Sequence, residues 1–298
     1  MNIPLHGLVA ATHTPFHPDG SLAPEVVPLQ AAHLSKNGIR TVFITGSTGE
    51  SHSLTRDERL AVFRAWAEAA PAHDLTVVAH AGSNCLEDAK VFAAAAADLG
   101  LDAVAALAPS YYKPDDLDTL IDCCALIAGA APGLPFYYYD IPALTGVCLP
   151  MREFLAKAPE RIPNLAGVKF TNDDLDDYSR CLKVGDFDIP WGIDEQLLAA
   201  LQAGARGAVG SSYNFAAPLY RRLIQAFEDG DLETATRLQR EAIELIEALA
   251  AVGYLGAVKA IMEWQGVPLG PARLPLANPS PAQLESLHEK FDSPVLQP

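Results

Sequence analysis

Residues 167–173 read Gly-Val-Lys-Phe-Thr-Asn-Asp, a strand-like stretch whose apolar face is interrupted by one amine, Lys169. The ordinary reading of such a lysine is a strand end whose amine reaches out to water. Period-two alternation offers another: Gly167, Lys169 and Thr171 share one face, Val168 and Phe170 the other. With the apolar pair turned to a helix layer, Lys169 points inward above Gly167, whose missing side chain would leave it room. An ordinary lysine amine, with a reference pKa of about 10.4, is the neutral nucleophile in only about one molecule in 2,500 at pH 7. Withdrawal from water favours the neutral form. Neutral lysines attack carbonyls to give Schiff bases, and the iminium then draws electrons from adjacent carbon bonds. A tyrosine ending the preceding strand, Tyr139, would come near such an amine, since neighbouring strands lie about 4.8 Å apart.

Other polar residues also fall where strands end: Gly46-Ser47-Thr48-Gly49-Glu50, Ser110-Tyr111-Tyr112, Tyr139-Asp140, Asp194-Glu195 and Ser211-Ser212. Each has a plainer reading beside the chemical one. Ser47 and Thr48 suit a turn, and Glu50 could support that loop. Tyr139 follows Tyr137 and Tyr138 and could be a packing aromatic, as could Tyr111 and Tyr112. Asp194 and Glu195 could complement the dipole of the helix DEQLLAALQ, and Thr171 and Ser211 could satisfy nearby backbone. His13 and His17 straddle Pro15, which breaks the spacing a metal pair needs, and DDLDD lacks the alternation and glycine of a calcium loop. No metal is assigned.

The elements that must position these groups alternate along the chain. Short β-branched or aromatic runs begin near residues 7, 39, 75, 101, 135, 165, 186 and 204, with helical periodicity between most of them, as over 56–70 and 86–99. Eight such units predict a closed (β/α)8 TIM barrel, with a doubly wound open sheet as the alternative. In a barrel the carboxyl ends of the strands form the active face, which is where the polar residues gather. Thr55 and Glu58 form a capping-box signature after the GSTGESHSL loop, making it a strand-to-helix connection. Beyond about residue 215 the strand signals stop, and three helical stretches, a proline-rich segment and a last short helix follow. The expected organisation is a barrel over 1–225, carrying the site, and a C-terminal helical extension over 226–298.

Bulk properties narrow the classes further. The 298 residues carry a formal charge of −16, which repels nucleic-acid phosphates and anionic membranes, so any acidic ligand needs local donors. No apolar run approaches the roughly 18 residues of a membrane span, and the first residues lack a secretory leader's basic region. The expected location is cytoplasmic. Five cysteines, with no CxxC pair, read as core thiols.

Several motifs in order carry a resemblance that spans nearly the whole chain: TPF at 14–16, GSTGE at 46–50, the Tyr111-Tyr112 pair, YYDIPALTG at 138–146, GVKFT at 167–171, GIDEQLL at 192–198, GAVGSSYN at 207–214 and VKAIM at 258–262. On these the chain resembles the N-acetylneuraminate lyase and dihydrodipicolinate synthase family of pyruvate-dependent class I aldolases. The resemblance implies that Lys169 forms the Schiff base, that Tyr139 relays protons, and that Ser47 and Thr48 hold the pyruvyl carboxylate. Tyr111 matches a tyrosine that the family contributes to a neighbouring subunit's site, which implies a homo-oligomer, usually a tetramer. Leu144 stands where the synthases carry an arginine for a second carboxylate, and IPALTG, GIDEQLL and GSSYN look instead like the sialic acid lyases. There Thr171, Gly192, Asp194, Glu195 and Ser211 would hold the polyhydroxylated tail. Phe170 with Asn172-Asp173-Asp174 resembles the animal-type lyases more than some bacterial ones. The implied reaction is reversible cleavage of N-acetylneuraminate to N-acetylmannosamine and pyruvate, with no cofactor. Another pyruvate-dependent lyase or dehydratase, or a non-catalytic keto-acid-binding barrel, remains the alternative.

Overall fold

A computed structural model describes residues 4–291; Met1–Ile3 of the N-terminal stretch and 292–298 of the expected extension lie outside the described residues. Seven strands, β1 Gly7–Ala11, β2 Thr41–Ile44, β3 Thr76–His80, β4 Ala103–Leu107, β5 Phe136–Asp140, β6 Leu165–Phe170 and β7 Gly207–Gly210, pair in parallel in the order β6-β5-β4-β3-β2-β1-β7. Helices follow most strands: α1 Val27–Lys36, α2 Arg56–Ala69, α3 Leu86–Asp98, α4 Leu117–Ala128, the short α5 Pro142–Thr145 and α6 Met151–Lys157, α7 Leu175–Cys181, α8 Leu197–Ala203 and α9 Tyr213–Glu228. This is the expected (β/α)8 layout with one departure.

The run beginning near residue 186 is not a regular strand. Residues 188–191 make only single bridges, Asp188 to Gly167, Trp191 to Phe170 and Trp191 to Ala208. Pro190 has no N–H to enter a ladder. The segment nevertheless closes the ring. The Val168 and Phe170 amides donate to the carbonyls of Asp188 (3.1 Å) and Pro190 (2.9 Å), and on the other side Trp191 donates to Gly207 (2.9 Å) and Val209 to Trp191 (2.8 Å). Gly167 is what allows this approach, because a Cβ there would lie 1.6 Å from the Asp188 carbonyl oxygen. The space expected for Lys169 above Gly167 thus belongs to the closing backbone.

Period-two alternation sorts the strands into two cores. Val9, Phe43, Val78, Ala105, Tyr137, Tyr139 and Val209 pack inside the ring. Ala10, Val42, Val77, Tyr138, Val168 and Phe170 face outward under the helices. The outer layer is dense: Phe170 stacks on Trp191 (5.9 Å between ring centroids), and Tyr178 meets both. Burying a large side chain there stabilises by about 1.5–3 kcal/mol.

Helix α2 starts as its sequence requires. The Thr55 side chain accepts from the Glu58 amide while the Glu58 carboxylate accepts from the Thr55 amide, a cap worth about 1 kcal/mol. After β7 come α9, α10 Leu232–Ala250, α11 Tyr254–Trp264 and α12 Pro281–Phe291, matching the expected helical tail. The 225/226 division falls inside the last turn of α9. Among the described residues no single helix is long and apolar enough to cross a membrane.

Candidate active site

A cavity of about 380 Å³ opens at the carboxyl ends of the strands. Nine of the ten expected site residues line it: Ser47, Thr48, Tyr139, Lys169, Thr171, Gly192, Asp194, Glu195 and Ser211. An outer chamber of about 580 Å³ adjoins it, shares Ser47, Thr48, Ser211 and Tyr254, and adds among others Glu50, Leu107, Leu144, Leu255 and Leu276. Lys169 is the only lysine or arginine among the residues lining either chamber.

Lys169 sits at the end of β6 in register with Tyr139 of β5. Only 4% of it is exposed. Its Nζ lies 3.8 Å from the centre of the Tyr139 ring and 4.3 Å from that of Phe43. No carboxylate lies within ion-pair distance of it among the described residues. Its surroundings are aromatic faces, which attract a cation through the ring quadrupole and leave the amine open toward the cavity.

Ser47 and Thr48 come from the loop after β2. Thr45 (φ 51°) at its start and Glu50 (φ 55°) within it are left-handed, a conformation that costs a non-glycine residue roughly 1–2 kcal/mol. The tight fold brings Ser47 Oγ to 3.5 Å from the Tyr139 hydroxyl, a long approach of the kind that closes when substrate binds. Thr171 follows β6, and its Oγ1 is buried without a partner. Gly192 makes room for it: a Cβ there would lie 1.9 Å from that oxygen.

Asp194 takes a role that differs from capping its own helix. Its Oδ2 accepts from the Ser212 amide (2.9 Å) and hydroxyl at the start of α9, so it caps the neighbouring helix. Burial pushes its carboxyl up to about 6, against the Ser212 hydrogen bonds that favour the anion. Glu195 stays half-buried at the rim. Tyr111 is the one expected residue not brought in: it is 77% exposed and packs edge-on against Tyr112 at 5.0 Å.

Sequence reasoning missed two contributors. Tyr254, first residue of α11, places its hydroxyl 2.9 Å from Ser211 Oγ, and Ile246 and Ala250 of α10 complete that wall. The helical extension therefore builds part of the cavity. His80, the last residue of β3, is fully buried beside Phe43 and Tyr139. Its Nδ1 lies 3.0 Å from the Thr45 carbonyl, and its Nε2 accepts from the Leu107 amide at 3.3 Å. Burial, reinforced by Arg59, holds it well below the ordinary histidine range. A neutral ring with Nδ1–H donating fits both contacts and ties the ends of β2, β3 and β4 together behind Tyr139. Its buried, strand-end position was the available signal.

The chain is 41% identical over 276 residues to N-acetylneuraminate lyase A of Xenopus laevis, covering 91% of this chain and 90% of that one. Among solved structures, the Proteus mirabilis N-acetylneuraminate lyase superposes with a TM-score of 0.94 at 36% identity, covering 97% and 98% of the two chains. The Aliivibrio salmonicida sialic acid aldolase does so with a TM-score of 0.94 at 39% identity, covering 97% of each. Since the Dihydrodipicolinate synthetase family model matches residues 4–293, embracing every strand and the whole cavity just described, the chain belongs to that family.

Proposed function

We propose that the protein is a Schiff-base aldolase that cleaves N-acetylneuraminate reversibly to N-acetylmannosamine and pyruvate. The observation that carries this reading is Lys169: buried, with no carboxylate within ion-pair distance among the described residues, in register with Tyr139 and beside the Ser47 loop. Relatives named N-acetylneuraminate lyase, matched over most of both chains, support the substrate.

In this mechanism the Lys169 amine adds to the C2 carbonyl of the open-chain keto acid and water leaves, giving an iminium. Ser47 and Thr48 hold the adjacent carboxylate through hydroxyl and backbone N–H donors, the local donors that a chain of charge −16 requires. As the C3–C4 bond breaks, Tyr139 accepts the proton of the C4 hydroxyl and passes its own phenolic proton to the substrate carboxylate. The electron pair flows into the iminium, leaving an enamine and free N-acetylmannosamine. Protonation at C3 and hydrolysis then release pyruvate and restore the amine. The iminium is the electron sink, so the chemistry asks for no cofactor.

Thr171, with its unpartnered hydroxyl, together with Gly192, Asp194, Glu195 and Ser211 would meet the polyhydroxylated tail. The absence of any lysine or arginine besides Lys169 in the lining argues against a second carboxylate, and Leu144, 64% exposed at the outer chamber, presents only a hydrocarbon surface. Tyr111, exposed on its own chain, would complete the site of a neighbouring subunit in a homotetramer.

The test is pyruvate release from N-acetylneuraminate, run beside 2-keto-3-deoxy sugar acids, with borohydride trapping in pyruvate and peptide mapping. Labelling should fall on Lys169, Lys169→Ala should abolish turnover, and Tyr139→Phe should lower kcat by about 10²–10⁴-fold while labelling persists. Turnover surviving in Lys169→Ala would overturn the mechanism; preference for another keto acid would overturn the substrate.

A further inference from the structure

Beneath the Ser47 loop lies a buried charge cluster that the chemistry above does not use. Glu50 lies within the loop, its side chain buried; it borders the outer chamber but not the inner one. Its Oε1 lies 2.5 Å from Lys259 Nζ of α11, with both side chains fully buried. Its Oε2 accepts from the Arg273 amide at 2.8 Å. Lys259 also donates to the Pro271 carbonyl at 3.1 Å. The Arg273 guanidinium reaches the Ser53 carbonyl (2.9 Å), at the far end of the same loop, and Glu58 (2.8 Å) in the first turn of α2. Phe16 lies against both cations, 4.2 Å from each.

Stability alone gives a poor reason for this arrangement. Taking both charges out of water is costly, and a buried pair often stabilises no more than well-packed hydrocarbon of the same volume. Burial in fact draws the Lys259 ammonium down to about 8 despite the attraction of Glu50. What a buried charged pair supplies in some proteins, and hydrocarbon there does not, is a unique register. The loop needs one, because it is left-handed at Thr45 and at Glu50, and it is otherwise pinned from below by the Thr14 hydroxyl donating to Gly49 at 2.7 Å.

We propose that the Glu50–Lys259 pair, braced by Arg273, is a positioning device by which the C-terminal extension holds the 46–53 loop so that Ser47 and Thr48 stand over Lys169. Glu50 and Lys259 are positioning residues; neither lines the inner cavity. The kinetic consequence rests on the aldolase reading above, while the structural consequence does not.

The experiment compares wild type with Glu50→Gln, Lys259→Met, the milder Glu50→Asp and the double variant Glu50→Met/Lys259→Met, all in the full chain. Three quantities are read: thermal midpoint, amide exchange of peptides covering 46–53, and the pyruvate concentration giving half-maximal borohydride labelling of Lys169. The double variant leaves no charge unpaired, so it should fold even where the single variants do not. Its midpoint should stay near wild type while loop amides exchange about tenfold faster. Half-saturating pyruvate should rise on the order of 10–10²-fold with the maximum unchanged, as expected for misplaced donors. Glu50→Asp, which keeps both charges and shortens one arm by a methylene, should move the same quantities less. Wild-type loop exchange and half-saturation in the double variant would overturn the proposal, since a merely structural pair moves the midpoint alone. If wild type takes no label, the aldolase reading falls and loop exchange still decides the clamp.

Discussion

Two lysines are buried among the described residues, Lys169 and Lys259. Burial therefore does not single out the proposed nucleophile; partners do. Lys259 is held by Glu50, whereas Lys169 meets aromatic faces and the cavity. The same logic applies to acids. Asp140, beside Tyr139 in sequence but on the outward face of β5, is 1% exposed, with Oδ2 unpartnered. Burial pushes its carboxyl up to about 7, helped by Asp177 and opposed by the Asn172 hydrogen bond. A folded-state value above the unfolded one, near 3.8, means the native state holds the proton more tightly. The stability this contributes is full below about pH 4 and lost as pH rises through 7. Asp140→Asn should therefore flatten the fall in urea midpoint between pH 5 and 8, recovering on the order of 2–4 kcal/mol at the upper end. Parallel wild-type and variant profiles would show that the group titrates normally.

At the scale of elements, alternation within β6 and the strand-end position of its lysine were readable, because a two-residue period is a property of the chain itself. The closing segment was readable as extended but not as irregular. Pro190 removes a donor, and the single bridges it leaves depend on how closely β6 and β7 approach from either side. That approach hangs on Gly167. Gly167→Ala would push a methyl into the Asp188 carbonyl, an obstacle of backbone with no rotamer to yield, and should destabilise by at least about 1–3 kcal/mol. The urea midpoint measures the cost. Pyruvate-dependent labelling of Lys169, two residues along the same strand, should fall with it, and an unchanged midpoint would mean the ring closes without that contact.

At the scale of the whole molecule, a strongly acidic chain gathers its donors in one recess while leaving Tyr111, Tyr112 and Leu144 exposed around that end of the barrel. We propose that this exposed surface is the contact between subunits of the homotetramer. Sedimentation equilibrium should return a tetramer mass for wild type. If, as proposed, Tyr111 is supplied across subunits and the chain's own residues form the Schiff base, Tyr111→Ala should lower kcat while Lys169 still labels with pyruvate. A fully active monomer would remove Tyr111 from the site.

The chain by itself determined the alternation of strands and helices, the capping box at Thr55, the polar strand ends and the lysine among them, since each is a matter of local spacing and side-chain chemistry. Only the tertiary structure decided that Asp194 caps α9 rather than its own helix, that Tyr254 meets Ser211 across 43 residues of sequence, and that Glu50 answers to Lys259. Such contacts join residues far apart in the chain, and no periodicity encodes which distant side chain fills a given gap. Their partners are chosen by packing once the ring has closed.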